Sequence, residues 1–450
     1  MNAAGHERIT IIGGGASGVL LAVHLLRQPS SDLRVTLVER RGQFGQGVAY
    51  SARQRDHRVN VPARGMSAFA DDPGHFYRWL QQTGEPLPDG DYTFVPRRLY
   101  GRYLEDVLRE AAALRPGRLQ VLSEEVLAIR QNPSGTDVAL ANGTSIAGHV
   151  GVLAVGHETQ PARSRGIAVR VGADDDTPID PYAKVMILGS GLSMVDAWIA
   201  LAEADHRGPI LVVSRNGLLP RGHRDVPPIS IDAADVPFGT NLGYIMRWFR
   251  ALVRETQAAG GDWRSVVDGL RPYNQRIWQS WSERTRRQFL RHVRPFWNVH
   301  RHRVPPHLHQ RMVDAVASGQ VTLIAGHFLD VSRHEDMARA TIRRRGLPAE
   351  ATETIDVARV YDCGGVSVDV RASSNPVIRD LVASGAARPD ALNIGLDVTT
   401  TCDVIPAEGA VSGRLFAVGP LTRGRFFEIE AIPDIRVQCA TLARRLATGS

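Results

Sequence analysis

Arg8-Ile9-Thr10-Ile11-Ile12-Gly13-Gly14-Gly15-Ala16-Ser17-Gly18 is the stretch that decides how the first third of the chain folds. Its first five residues are largely β-branched and apolar, as a buried parallel strand requires. Gly13 allows a tight turn, Gly15 lets a pyrophosphate approach the backbone, and Gly18 lets a helix pack on the strand. Residues 17–28 (SGVLLAVHLLRQ) predict that helix, and its N-terminal amides and dipole would face phosphate. A second strand, Arg34 to Glu39, ends on an acid 21 residues after Gly18, placed to accept hydrogen bonds from a ribose. Strand, turn, helix, strand and acid in register identify a dinucleotide site far more specifically than the glycines alone.

A second, looser copy follows. Lys184 to Leu188 reads as a strand, and Gly189-Ser190-Gly191-Leu192-Ser193-Met194 as its turn. Met194 replaces the third glycine, so helix and strand should sit slightly further apart. The next strand, Pro209 to Val213, ends on Ser214-Arg215 where the acid would stand. A carboxylate there would repel a 2′-phosphate, whereas Arg215 can pair with one, which favours NADPH and leaves NADH as the alternative. Arg221 and Arg224 are candidates to reinforce it. Two such sites in one chain suggest a flavin and a nicotinamide held together for hydride transfer.

The 450 residues exceed a single core and predict two or three domains. A 43% hydrophobic and 22% charged composition is that of a globular enzyme. Cys363, Cys402 and Cys439 are far apart with no CxxC pair, which argues against a redox-active dithiol and fits a reducing cytoplasm. No apolar run approaches the roughly 18 residues of a membrane helix, and the start lacks a signal-like apolar stretch. The net charge of +7 is concentrated between Arg284 and Arg311. Two polyanionic cofactors account for it better than nucleic acid does.

The expected architecture is α/β, with two Rossmann-like dinucleotide-binding domains, one inserted into the other. Residues 1–172 form the first part of the FAD-type domain, 182–345 the NAD(P)-type domain, and 355–450 the returning second part. The acidic, proline-rich segment 174–181 reads as the crossover. Residues 240–318 carry helical periodicity and five of the seven tryptophans, which predicts a helical insertion rather than a loop. Val152 to Gly156 and Leu415 to Gly419 are matching apolar strands closing on glycine. Pro433 would sit in the first turn of a final helix whose N-terminus can face the flavin's pyrimidine edge.

Several local patterns carry a family likeness: Gly47-Val48-Ala49-Tyr50, Asn60-Val61-Pro62-Ala63 with Met66-Ser67-Ala68-Phe69, and Phe94 to Gly101. They continue through Arg301-His302-Arg303, Phe416 to Pro420, and Glu430-Ala431-Ile432-Pro433. With them the chain resembles, almost end to end, the bacterial FAD–NAD(P)-binding flavoproteins, distant relatives of the flavin-containing and N-hydroxylating monooxygenases. The resemblance implies FAD on Gly13, Gly15, Ser17, Gly18 and Glu39. It places Asn60-Val61-Pro62 near the isoalloxazine, and 419–434, including Gly419 and Pro433, over its other edge. Gly189, Gly191, Ser193, Ser214 and Arg215 would take the nicotinamide cofactor. There are departures. The FxGxxxHxxx(F/Y) stretch is absent, and its region reads Val155-Gly156-His157-Glu158-Thr159-Gln160-Pro161. Gly419-Pro420 stands where many flavoproteins have Gly-Asp.

The expected reaction is oxygenation of a small molecule by FAD, NADPH and O₂ through a flavin hydroperoxide. The alternative is a reductase or dehydrogenase without oxygen transfer, and a third class is a nucleotide-sensing protein with negligible turnover. Such chemistry asks the protein to position, exclude water and supply few protons. Asn60, His157 and Arg301 are the candidate catalytic residues, with Asn60 also readable as a turn residue. His292, His300, His302, His307 and His309 are interrupted by Pro305-Pro306 without acids or cysteines, so no metal site is expected.

Overall fold

The computed structural model describes residues 8–29, 32–51, 57–159, 167–170, 178–364, 366–367 and 369–448. The crossover at 174–181 lies partly outside them. Strand Arg8–Ile12 is central in a five-stranded parallel sheet, flanked by Arg34–Val38 and Leu119–Leu122 on one side. On the other side lie Val150–Leu153 and then Leu415–Ala417. The chain therefore returns after more than 260 residues to complete its first sheet. Helix Ala16–Leu26 is apolar all round, as a helix buried on every side must be. The C-terminal helix Ile432–Thr448 packs along it, and Cys439 Sγ donates to Ser17 O at 3.5 Å. One continuous core joins residues 9–154 to 370–446. An antiparallel meander, Val126–Asn132, Gly135–Leu140 and Ser145–Gly148, caps this lobe.

The second lobe has a seven-stranded sheet. Ala168–Arg170, Arg359–Asp362, Val185–Leu188, Ile210–Ser214 and Val321–His334 run parallel. Met337–Arg344 and Glu353–Val357 extend it as an antiparallel edge. Three expected boundaries move. Ala168–Arg170 and Arg359–Asp362 join the second sheet, so the first lobe gives way before 168 and resumes after 362. The third change shortens the insertion: helix Pro306–Ala317 buries Leu308, Met312 and Ala315 against the second sheet, as the crossover preceding Val321. The short ribbon Glu158–Thr159 with Val366–Ser367 marks where the chain crosses between lobes.

The inserted helices run from Leu242–Ala258 to Arg294–Arg301 and have their own core. That core is shared with the first lobe. Trp278 is fully buried, stacks on Phe427 at 4.8 Å and donates Nε1–H to Gly424 O at 2.9 Å. The lobes are clasped by a fork-to-fork pair, Arg97 Nη1 and Nη2 to Asp196 Oδ2 and Oδ1 at 3.0 and 3.1 Å. Among the described residues no helix is long and apolar enough to cross a membrane.

Trp278→Ala removes a buried indole, its stack and its hydrogen bond together. The expected loss is about 3–5 kcal/mol, read as a lower urea midpoint by tryptophan-independent circular dichroism.

Candidate functional site

Gly13 has φ +107°, and a Cβ there would meet Ala154 O at 2.5 Å, so only glycine suits the turn. Gly15 is different. Its backbone is extended, and a Cβ would meet nothing nearer than Gly47 Cα at 3.6 Å. Gly15 is open because a groove runs past it. The groove is open to solvent and is lined by Glu39, Arg41 and Glu125 together with Pro420, Glu430 and Ile432. Glu39 accepts from Gly14 N (2.8 Å) and Arg41 N (3.1 Å), which fixes the carboxylate beside the glycine turn. The N-terminus of helix Ala16–Leu26, an acid at the end of the second strand, and a long groove between them fit the adenosine diphosphate half of FAD.

His157 lines the same groove. Its Nδ1 lies 3.0 Å from Arg423 Nη2, so Nδ1 accepts and the proton of the neutral ring sits on Nε2. Burial lowers the His157 pKa, against the pull of Glu430. Glu430 forms an ion pair with Arg423 at 3.2 Å. Burial would raise the Glu430 carboxyl, but Arg423 and His157 hold it below the ordinary range.

The structure brings Gly13, Gly15, Ser17, Glu39 and His157 to this groove. Gly18 packs the helix on the strand, its Cα facing Gly13 O. Gly419 lies beneath the groove, against Ser17, with its N–H on Gln438. Others sit elsewhere. Asn60, Val61 and Pro62 lie outside the groove lining and at the seam between lobes, where Asn60 O faces His223 Nε2 at 2.9 Å. Pro433 points to the far side of its helix, into a separate cleft, while Ile432 and Ile435 face the groove. Arg301 is buried with its Nε on Glu428 at 3.2 Å, which makes it an internal ion-pair member first. Arg303 is likewise paired, with Asp268.

In the second lobe, Gly189 takes φ +99° and Gly191 caps helix Leu192–Glu203, so the turn matches the first. Ser193 O accepts from Cys363 Sγ at 3.4 Å. Ser214 Oγ accepts from Gly217 N, which shapes the loop that exposes Arg215. Arg345 bonds Asn216 at 3.1 Å and is the second guanidinium beside that loop. Arg224 instead faces Asp262, near the insertion. Arg345 carried no sequence signal: it arrives from a hairpin 130 residues later in the chain. Among the described residues no group of three or more His, Cys, Asp or Glu could hold a metal.

Two glycine turns after parallel strands in two sheets, one of them beside a groove, define a two-dinucleotide fold. Residues 10–158 match the model of the FAD-NAD(P)-binding family. No curated protein matches the chain. Among solved structures, the ornithine N-hydroxylase of Kutzneria sp. 744, with reduced FAD, NADP⁺ and L-ornithine, is 15% identical with a TM-score of 0.63, over 98% of this chain and 99% of that one. The ornithine hydroxylase of Pseudomonas aeruginosa is 13% identical with a TM-score of 0.62, over 98% and 99%. The bacillithiol disulfide reductase of Staphylococcus aureus is 13% identical with a TM-score of 0.56, over 97% of both. The chain has the fold of FAD/NAD(P) oxidoreductases, and FAD with a nicotinamide dinucleotide are the cofactors that fold is built around.

The two glycines separate folding from binding. Gly13→Ala should cost at least about 2 kcal/mol in stability. Gly15→Ala should melt like the parent, yet bind FAD at least about tenfold more weakly, because its Cβ enters the pyrophosphate path. Equilibrium dialysis and calorimetry on both proteins read the difference.

His223 gives a pH prediction. Burial, then Arg303, lower its pKa to about 3. A histidine held neutral by folding contributes stability present above its unfolded pKa near 6.5, lost as pH falls toward 3. His223→Gln should flatten that acid limb in melting curves taken between pH 7 and pH 4.

Proposed function

We propose that the protein is an NADPH-dependent, FAD-containing monooxygenase that oxygenates a small molecule. The observation that carries this reading is the pairing of two dinucleotide turns across a clasped seam, with no cysteine lining the FAD groove among the described residues. Gly13, Gly15, Ser17 and Glu39 would hold FAD, which would supply hydride acceptance and reactivity toward O₂. The chain's own groups do the rest. Gly13, Gly15 and Ser17 cradle the pyrophosphate, and Glu39 takes the ribose. His157 offers an Nε2 proton into the groove, and Glu430 keeps Arg423 paired beside it. The Arg97–Asp196 clasp brings the nicotinamide helix against the flavin lobe and limits water at the seam. Arg215 and Arg345 are the partners for a 2′-phosphate.

The same fold in a bacillithiol disulfide reductase supports a second reading, reduction without oxygen transfer. The thiols speak against a dithiol version of it. Burial pushes Cys402 up to about 12 and raises Cys439 further, so neither is a thiolate at neutral pH. Cys363 lies against the nicotinamide turn rather than the FAD groove.

Purified holoenzyme under ¹⁸O₂ with NADPH and candidate amines or carboxylates decides between them. Label in the product supports oxygen transfer; NADPH consumption that persists without O₂ once a disulfide or quinone acceptor is supplied supports the reductase. Arg215→Ala and Arg345→Ala should each raise KM for NADPH by about 10–100-fold while leaving KM for NADH nearly unchanged. An unchanged NADPH/NADH ratio in both would sink the phosphate assignment.

A further inference from the structure

Glu428 has φ +61°, in the left-handed region that non-glycine residues seldom occupy. Its carboxylate gathers three donors from the helical insertion: Asn274 Nδ2 at 2.9 Å, Trp297 Nε1 at 2.5 Å and Arg301 Nε at 3.2 Å. The Arg301 and Glu428 side chains are 9% and 6% exposed, so this is an interior pair. Burial alone would raise the Glu428 carboxyl, but Arg301, and then His302, hold it below the ordinary range. The backbone beyond it turns at once. Glu430 N and Ala431 N both donate to Glu428 O, and helix Ile432–Thr448 begins directly after. Within four residues the chain thus passes from the insertion to the FAD groove, which Glu430 and Ile432 line.

We infer that Glu428 is a positioning residue through which the helical insertion sets the flavin-facing loop, holding Glu430 and Ile432 in place at the FAD groove. A strained turn persists only where its surroundings over-determine it. Here the three insertion donors do so. The helix N-terminus and the Glu430–Arg423–His157 group lie directly after the point where Glu428 is fixed, so a movement of the insertion reaches the flavin site through this side chain, beside the Trp278–Gly424 and Arg271–Asp434 contacts. The inference rests on FAD occupying the groove and not on the oxygen-transfer step. It can therefore fail while the proposed reaction stands.

The test uses Glu428→Gln, which keeps the side chain's shape and removes its charge, and Val236→Ala, which loosens the insertion core at a residue that gives Glu428 none of its three hydrogen bonds. FAD affinity is measured by fluorescence titration, alongside the visible spectrum and midpoint potential of the bound flavin and the melting temperature. Glu428→Gln should weaken FAD at least about fivefold and shift spectrum and potential. Val236→Ala should lower the melting temperature and leave all three flavin readouts unchanged. Should Glu428→Gln fail to fold, the charge-balanced Arg301→Gln/Glu428→Gln protein replaces it, with the same expectation. Unchanged flavin readouts in the variant that folds, or equal changes in Val236→Ala, overturn the inference and leave Glu428 a peg for the insertion.

Discussion

The backbone ladder between Val150–Leu153 and Leu415–Ala417 is the constraint on which the rest of the structure depends. Until it forms, strand Val150–Leu153 has one side unpaired and helix Ala16–Leu26 has helix Arg97–Ala113 as a neighbour but lacks helix Ile432–Thr448, which arrives with the same returning segment. A strand edge with unpaired groups beside an apolar helix is costly to leave exposed. The intervening lobe must therefore leave and return at nearly the same place. The ribbon of Glu158–Thr159 and Val366–Ser367 meets that requirement, and Glu158 anchors it by accepting from Ser373 Oγ at 2.6 Å and Asn375 N at 3.1 Å.

This closure also builds the site. The FAD groove has one wall from the first 160 residues and the other from Pro420 to Ile435, so it is complete only when the chain's two ends have met. His157 and Arg423 show the point: they face each other across a sequence distance of 266 residues. The insertion is tied in by the same returning segment, through Trp278 on Gly424 and Asn274 on Glu428. Arg271 adds an ion pair with Asp434 at 2.9 Å.

What was legible in the sequence follows from range. The two turns at Gly13 and Gly189, their strands and their helices are set by local sterics and apolar periodicity, and they stand where the pattern placed them. The split of the first domain was legible because Leu415 to Gly419 repeats the Val152 to Gly156 pattern. Arg359–Asp362 joins the second sheet although it was expected in the first, because a short strand before glycine reads alike in either one; only its pairing with Val185–Leu188 distinguishes them. Pro306–Ala317 was merged with the insertion because helical periodicity does not say which core a helix faces. Arg345, Glu428 and the seam position of Asn60 are products of long-range packing, and their neighbours in sequence carry no trace of their partners.

The basic excess has an internal explanation that bears on function. Lys184 is the only lysine, so 53 of the 54 basic residues are arginines. Arginine's planar fork suits buried and inter-element pairing in a way a strongly hydrated ammonium does not. Within and around the insertion, Arg264, Arg271, Arg301 and Arg303 all face carboxylates. Arg286 is spent on the carbonyls of Trp278 and Gln279. Arg215 contrasts with them: it is exposed at the end of a strand in a dinucleotide fold. Its position there, with Arg345 beside the same loop, is what a cofactor phosphate would require. Part of the basic excess is thus fold chemistry, while Arg215 and Arg345 lie at the loop beside the second glycine turn.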